Sequence, residues 1–155
     1  MVRYCRHIIL CSLFIVCLSC TKSVYFEKYQ TIDNPWDKNK EYFFTCEIDD
    51  PSVSYNLSLQ IRNNNLYPYQ NLWLFLAEEQ SDGYVQRDTV ECMLADEYGK
   101  WRGTGISIYH LNIPIRSKYT FPQQGKYTFA IRQGMRDDQL KGIEQIGVRI
   151  EKNGK

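Results

Sequence analysis

Apolar and polar residues alternate with a period of two in two segments of the chain. In Tyr42–Ile48 the apolar residues fall at every second position, and residues 55–62 repeat the same pattern. This alternation is typical of β-strands with one face on a hydrophobic core. Residues 72–77 are apolar at nearly every position, which predicts a central strand covered on both faces.

Further alternating segments and turn signals extend this pattern to most of the chain. Glycine, proline, asparagine and aspartate clusters separate the segments, as turn residues do. About seven short strands at such spacing predict an all-β fold, a single antiparallel β-sandwich of jelly-roll or immunoglobulin-like type. One short helical turn is expected near residues 136–141. The remaining predicted strands cover residues 85–94, 106–111, 126–133 and 146–152.

The N-terminus has the layout of a bacterial export signal. Arg3 and Arg6 precede an apolar run over residues 8–18, about half the length that a membrane-spanning helix needs. The run ends at Cys17-Leu18-Ser19-Cys20, which resembles a lipobox with Cys20 as the acylated residue. The sequence thus predicts a lipoprotein signal peptide over residues 1–19, a lipidated tether over 20–35 and a β-sandwich domain over 36–155. The alternative is an ordinary secretory signal or an uncleaved anchor, with Cys20 incidental.

Cysteine use and charge narrow the classes of function. Removal of the signal peptide and acylation of Cys20 leave Cys46 and Cys92 from the six cysteines. Both lie on inward positions of predicted strands, where buried free thiols are favoured over a disulfide. The same removal leaves 17 basic residues against 18 acidic ones, without a basic block. A nucleic-acid partner is therefore not expected.

Catalytic or metal chemistry is not indicated by the motifs. His110 is the single histidine after the signal peptide, and we expect it to be solvent-facing or hydrogen-bonded. Gly103-Thr104-Gly105 lacks the strand-helix context of a phosphate loop and is interpreted as a bend or bulge. The doublets 49–50 and 137–138 lack EF-hand spacing, so turn capping is favoured over calcium binding. We predict no catalytic residue, cofactor, metal or small-molecule substrate.

The many aromatic residues allow two interpretations of their role. Twelve tyrosines and three tryptophans could pack in the core or form a sugar-binding platform, and core packing is favoured. An exposed coplanar pair among Trp36, Trp73 and Trp101 would indicate glycan binding. Residues 63–69 are polar and rich in turn formers, which predicts an exposed, ordered loop of the kind that carries function.

Two blocks of sequence resemble the gliding-motility lipoproteins of the GldH type from Bacteroidota. The resemblance spans nearly all of the chain after the predicted signal peptide, and it is specific because the two blocks occur together. The first is an R-N-N-N-x-Y-P-Y block at Arg62–Tyr69, and the second a G-K-W-x-G-x-G block at 99–105. Further matching segments include 24–25, 55–57, 87–89, 94–96, 125–127, 135–136, 140–143 and 146–150.

This resemblance implies a lipid-anchored cell-envelope protein, at the outer membrane, without catalytic activity. It would act as an accessory or scaffold of the gliding-motility and type IX secretion machinery, with envelope proteins as partners. The alternative is a surface glycan-binding lipoprotein. Eight residues are candidates for contact with such a partner: Arg62, Asn63, Asn64, Asn65, Tyr67, Tyr69, Trp101 and Arg136. The structural alternative is that these residues cap turns or helix ends.

A smaller resemblance concerns modification. Asp88-Thr89-Val90 is similar to the D-S/T-apolar motif for O-glycosylation in exported proteins of this phylum. Thr89 is therefore a candidate O-glycosylation site.

Overall fold

The computed structural model describes residues 23–153, so the predicted signal peptide and Cys20 lie outside the described residues. Within this range the chain is all-β, and it contains no helix that is long and apolar enough to span a membrane. The strands are β1 (Ser23–Thr31), β2 (Trp36–Asp37), β3 (Tyr42–Ile48), β4 (Tyr55–Asn64), β5 (Asn71–Glu79), β6 (Val85–Met93), β7 (Thr104–Gly105), β8 (Ile108–Tyr119), β9 (Gly125–Gln133), β10 (Gln139–Leu140) and β11 (Ile143–Lys152).

Two antiparallel sheets form the predicted sandwich. The first has five strands in the order β1-β11-β4-β8-β7, and the second has four in the order β3-β9-β5-β6. A small pair of β2 and β10 completes the topology by placing Trp36 opposite Leu140. Alternate side chains of both sheets meet in one core, as the period-two pattern predicts. The all-β sandwich is thereby confirmed.

The core is fully closed around the centre of both sheets. Phe44, Leu74 and Phe129 from the four-stranded sheet and Leu59 and Val148 from the five-stranded sheet are at most 1% exposed. Each such side chain contributes about 1.5–3 kcal/mol when it is removed from water. Burial along β3 alternates strictly, which confirms the strand predicted there.

Two predicted features differ in the structure. Strand β5 is not covered on both faces, because Trp73 and Phe75 remain 37% and 40% exposed on its outer side. The expected helical turn near 136–141 is absent, and Gln139–Leu140 forms strand β10 instead. The amide side chain of the buried Gln133 holds this segment in a loop, because it bonds the carbonyl oxygen of Asp137 (2.8 Å) and the backbone N–H of Met135 (2.9 Å).

Part of the segment that the sequence predicts as a tether is folded. Ser23–Thr31 is strand β1, which pairs with β11 along its length at one edge of the five-stranded sheet. The folded part therefore includes residues before 36. Exposed and half-buried side chains do not strictly alternate along β1, and its pairing with β11 has a register shift between Val24 and Phe26.

Cys46 and Cys92 are buried free thiols, as favoured from the sequence. They lie on β3 and β6, which are separated by β9 and β5. Three spacings of about 4.8 Å separate the two strands, so the Cα atoms are at least about 14 Å apart, whereas a disulfide needs Cα atoms within about 7 Å. Burial raises the pKa of each thiol to about 12.

Candidate functional site

The loops that carry the two sequence blocks meet at one end of the sandwich. We call this the loop end, formed by residues 64–71, 94–108 and 133–143. The backbone N–H groups of Leu94 and Ala95 both donate to the carbonyl oxygen of Gln70, at 2.8 and 2.9 Å. The Trp101 indole N–H donates to Asn65 Oδ1 at 2.9 Å. The bond between Trp101 and Asn65 joins the second block directly to the first.

A row of four aromatic rings runs through the loop end. Ring centroids are 5.9 Å apart for Tyr69 and Tyr67, 6.4 Å for Tyr67 and Trp101, and 5.7 Å for Trp101 and Tyr109. Tyr67 is 3% exposed, and its hydroxyl donates to the carbonyl oxygen of Asn71 at 2.6 Å. Burial raises its pKa well above the ordinary value. We call these four rings the loop-end aromatic row.

Asparagine and glycine residues fix the turn that begins this row. Asn64 Oδ1 accepts a hydrogen bond from the backbone N–H of Leu66 at 2.7 Å, and the Asn64 N–H donates to the carbonyl oxygen of Gly142 at 2.9 Å. Gly142 has a φ of +83°, and a Cβ there would lie 2.1 Å from the nitrogen of Tyr67. A glycine is needed because the two backbones approach too closely for any side chain.

Asp96 and Tyr69 hold two other loops of this end. Asp96 Oδ1 accepts hydrogen bonds from the backbone N–H groups of Tyr98 (3.0 Å) and Lys100 (2.9 Å), an Asx-type turn. The Tyr69 hydroxyl donates to Asp137 Oδ2 at 2.8 Å, which links the first loop to the third. The hydrogen bond raises the pKa of Tyr69. The loop end is thus an ordered surface.

Large apolar side chains project from these ordered loops into water. Leu66 is 68% exposed, Tyr98 87%, Ile106 90% and Ile108 51%. Scattered exposed apolar residues are normal on proteins, but a group at one end of a domain is typical of an interaction site. The sequence reasoning missed all four. Leu66, Tyr98 and Ile106 each lie directly beside an Asn or Gly turn residue, which was the signal that could have identified them.

The predicted partner contacts separate into three groups. Asn65, Tyr69 and Arg136 are exposed, and Arg62, Asn64 and Trp101 are half-buried. Asn63 and Tyr67 are 1% and 3% exposed, so the expectation that they lie on an exposed loop is wrong. The physical reason is that β4 continues to Asn64 and keeps Asn63 on its inward face, while Tyr67 turns back into the core.

Arg62 lies apart from the other candidates, on the outer face of the five-stranded sheet. Its guanidinium stacks over the Tyr29 ring at 4.6 Å and donates to Gln145 Oε1 at 2.7 Å. His110 lies in the same polar network, with its Nε2 2.8 Å from Gln60 Oε1 and 3.2 Å from the Tyr29 hydroxyl. Burial, and then the charge of Arg62, lower the pKa of His110. The prediction of a hydrogen-bonded histidine is confirmed.

Arg136 and Tyr69 line a hollow of about 290 Å³ beside Trp73 and Met135 on the outer face of the four-stranded sheet. Trp36 is completely buried, which agrees with core packing. Trp101 packs on Tyr67 and Tyr109. Among the ring contacts of residues 23–153, none joins two tryptophans.

Two further features bear on the chemistry of the described region. Within it, no group of three or more His, Cys, Asp or Glu side chains could hold a metal ion. The carboxyl group of Asp50 caps a turn, as favoured for the 49–50 doublet. The carboxyl group of Asp96 caps a second turn. Gly105 has a φ of +146°, and a Cβ there would overlap the carbonyl oxygen of Ile108, which confirms the bend interpretation.

Comparison with known proteins gives the family. The model of the GldH lipoprotein family matches residues 24–150. The chain is 32% identical over 145 residues to the gliding motility lipoprotein GldH of Flavobacterium johnsoniae, covering 88% of this chain and 90% of that protein. It is also 32% identical over 143 residues to a GldH homolog of Christiangramia forsetii, covering 87% and 88%.

Among solved structures, the chain resembles a family 35 carbohydrate-binding module from Clostridium thermocellum. The TM-score is 0.36 at 13% identity, with 81% of this chain and 88% of that chain covered. A likeness of this size carries no functional inference. The family match and the two relatives agree with the sequence blocks that meet at the loop end. The chain belongs to the GldH lipoprotein family.

Proposed function

We propose that this chain is a lipid-anchored, non-catalytic accessory or scaffold of the gliding-motility and type IX secretion machinery. Cys20 attaches it to the cell envelope, at the outer membrane, and envelope proteins of the machinery bind it. Several acyl chains on one residue would give lasting attachment, at about 0.8 kcal/mol per buried methylene. The family membership supports the motility role, because both relatives are named for gliding motility.

The observation that carries this proposal is the exposed apolar surface on an ordered loop end built from the family's own sequence blocks. Leu66, Tyr98 and Ile106 project from loops held by side-chain hydrogen bonds. A rigid surface of this kind loses little conformational entropy when a protein partner covers it. We therefore assign partner contact to Leu66 and Tyr98, together with Asn65, Tyr69, Trp101 and Arg136.

The position of the N-terminal strand leaves the loop end accessible. β1 starts at Ser23, which pairs with Lys152, whereas its last residue Thr31 pairs with Gln145 beside the loop end. Nine strand residues span about 30 Å, so the tether joins the domain at the opposite end. We call that opposite end the tether end. Attachment through Cys20 would leave the loop end free for a partner.

A non-catalytic role is supported by the surroundings of the histidine and the two thiols, the groups that could act in catalysis. The single histidine of the described region is engaged by Gln60 and Tyr29, and the two thiols are buried with raised pKa values. Glycan binding remains the second candidate function, carried by the hollow beside Trp73 and Tyr69. Thr89 is exposed on β6, which makes it accessible to the proposed O-glycosylation.

The test is complementation of a gene deletion with the wild type or with Cys20→Ala. The wild type should restore gliding and the secretion of a type IX cargo, and Cys20→Ala should not, because the unanchored domain leaves the membrane fraction. A Cys46→Ala variant is the control for loss of a thiol alone, and it should complement. Full function of Cys20→Ala, or unchanged gliding and secretion in the deletion, would contradict the proposal.

A further inference from the structure

The backbone groups at the two edges of the four-stranded sheet differ in their hydrogen bonding. At the β3 edge, side chains of β1 bond the backbone: the Tyr25 hydroxyl donates to the carbonyl oxygen of Glu47 at 2.8 Å, and Gln30 Nε2 donates to that of Phe43 at 2.5 Å. At the other edge, β6 pairs with β5 only, among residues 23–153. One edge is covered, and the other has a free row of backbone groups.

Strand β6 also lacks several of the devices that usually protect an edge. It is nine residues long, contains no proline or glycine, and pairs with β5 without a bulge. An inward-pointing charge can block edge pairing, but Asp88 is already engaged by Arg116 at 2.7 Å. Arg116 also bridges to Glu78. By these criteria the edge is competent to accept another strand.

The outward side chains of β6 are complementary to themselves. In order they are Val85, Arg87, Thr89, Glu91 and Met93. If two copies of β6 pair in antiparallel orientation about Thr89, Arg87 of each copy lies opposite Glu91 of the other. Val85 then lies opposite Met93, and the two Thr89 residues face each other. Opposite charges, apolar pairs and threonine pairs in such positions all stabilise a sheet.

These groups are available for a second copy. Arg87 is exposed and forms no ion pair within the described part of the chain. Glu91 is exposed and accepts one hydrogen bond, from Asn71 Nδ2 at 2.7 Å. Met93 is 42% exposed. Neither charge has to leave an ionic partner in its own chain.

The space beneath this edge would also be covered by a second copy. Between β6 and β8 lies an open hollow of about 480 Å³ lined by Leu76, Val90, Ile113 and Arg116 among others. The inward apolar residues Val90 and Ile113 are only half-buried there. A strand added beyond β6 lies over β8 and removes part of this apolar surface from water.

We propose that two copies of this chain associate through β6, antiparallel about Thr89, to form one continuous eight-stranded sheet. The contact uses the same residues of both copies, so it closes as a two-fold dimer and does not propagate. The two-fold axis is perpendicular to the sheet, so the tether end of one copy points in the same direction as the loop end of the other. Both N-terminal strands lie in the five-stranded sheets, on the same face of the dimer, so both copies can be attached to a membrane that faces those sheets.

Site-specific disulfide formation tests the register. In cell membranes that contain the full-length lipoprotein, Thr89→Cys should oxidise to a covalent dimer, because facing residues in an antiparallel pair have Cα atoms about 4.5–5.5 Å apart. Thr45→Cys, an exposed threonine on β3, is the matched control and should give only the wild-type background. Equal dimer formation by both variants would overturn the proposal.

Charge exchange tests the contacts without a new thiol. Sedimentation equilibrium of the detergent-solubilised full-length protein should show a dimer for the wild type. Arg87→Glu and Glu91→Arg should each raise the dissociation constant by about tenfold, since each places two like-charged pairs in the dimer. The double variant should restore wild-type association. A wild type that remains monomeric at all concentrations, or a double variant no better than the single ones, would contradict the proposal.

The modification state of Thr89 gives a further test. A glycan on this residue would occupy the dimer axis and is incompatible with pairing. Mass spectrometry of the native protein should therefore find Thr89 unmodified in the dimer fraction. A fully glycosylated Thr89 would overturn the dimer and would support the modification that the sequence suggests.

Discussion

The two ends of the sandwich both contain aromatic clusters, and the clusters differ in exposure. At the tether end, the rings of Tyr25, Tyr55, Phe121, Tyr119 and Tyr127 contact one another at centroid distances of 4.7–5.4 Å. Tyr55, Phe121 and Tyr127 are at most 1% exposed. In the loop-end aromatic row only Tyr67 is buried, and exposed apolar residues surround it.

The difference in exposure indicates that aromatic residues have different roles at the two ends. The tether-end cluster closes the core where the chain enters and leaves the domain, so its rings contribute mainly to stability. The loop-end aromatic row supports loops whose outer residues lie in water. Sandwich ends are where loops gather, and a rigid scaffold beneath them is what a binding surface requires.

The largest expected effect compares one ring from each end. Phe121→Ala should lower the free energy of unfolding by about 4 kcal/mol, because it leaves a cavity among three aromatic partners. Tyr109→Ala at the loop end should cost only about 1 kcal/mol, since that ring is half-buried and has a single ring partner. Urea denaturation measures both. Similar losses of stability for the two variants would contradict the view that the tether-end cluster stabilises the fold more than the loop-end aromatic row does.

The next effect concerns two glycines at the loop end. Gly142→Ala should lower stability by about 2 kcal/mol or more, because the new Cβ meets the Tyr67 backbone and the φ is positive. Gly99 has a similar φ of +80° with open space around it, so Gly99→Ala should cost about 1 kcal/mol. Thermal unfolding of both variants tests this order. Equal costs would show that backbone strain alone matters and that close approach does not.

The smallest expected effect is a loss of stability at alkaline pH, caused by tyrosines at the tether end. It is absent near neutral pH. Burial is the first cause that raises the pKa of Tyr25 and Tyr119 to about 12, from 10.0. A raised pKa in the folded state stabilises the protein below pH 10. That contribution is lost as pH rises from 10 through 12.

Chemical denaturation at increasing pH should therefore show falling stability above pH 10 and little change between pH 7 and 9 from these groups. Tyr119→Phe should make the alkaline decline shallower. The control is Tyr84→Phe, because Tyr84 is 60% exposed at a turn. An alkaline decline that Tyr119→Phe leaves unchanged would exclude this residue as a source.

Most of the long strands were predictable from the sequence, whereas β1, β10 and the exposure of side chains were not. Alternation identified β3 and β4 because each has one face in the core. It failed for β5, where the outer Trp73 and Phe75 are as apolar as the inner leucines. Amino-acid type cannot distinguish the two faces of such a strand, since only tertiary packing decides which face is covered.

At the candidate site, too, the sequence did not show which side chains are buried. The sequence identified the blocks at 62–69 and 99–105, but it did not show that Asn63 and Tyr67 are buried while Leu66 projects outward. That outcome depends on the long-range bonds from Asn64 to Gly142 and from Asn65 to Trp101. Contacts between residues so distant in the chain leave no local pattern.

The most direct test of the account uses exposed residues that should not affect folding. Leu66→Ser with Tyr98→Ser changes the loop end, and Tyr84→Ser changes an exposed tyrosine near the tether end. We predict that the double variant folds with wild-type thermal stability and fails to restore gliding or cargo secretion, whereas Tyr84→Ser restores both. Full restoration by the double variant would contradict the assignment of the loop end as the partner-binding surface.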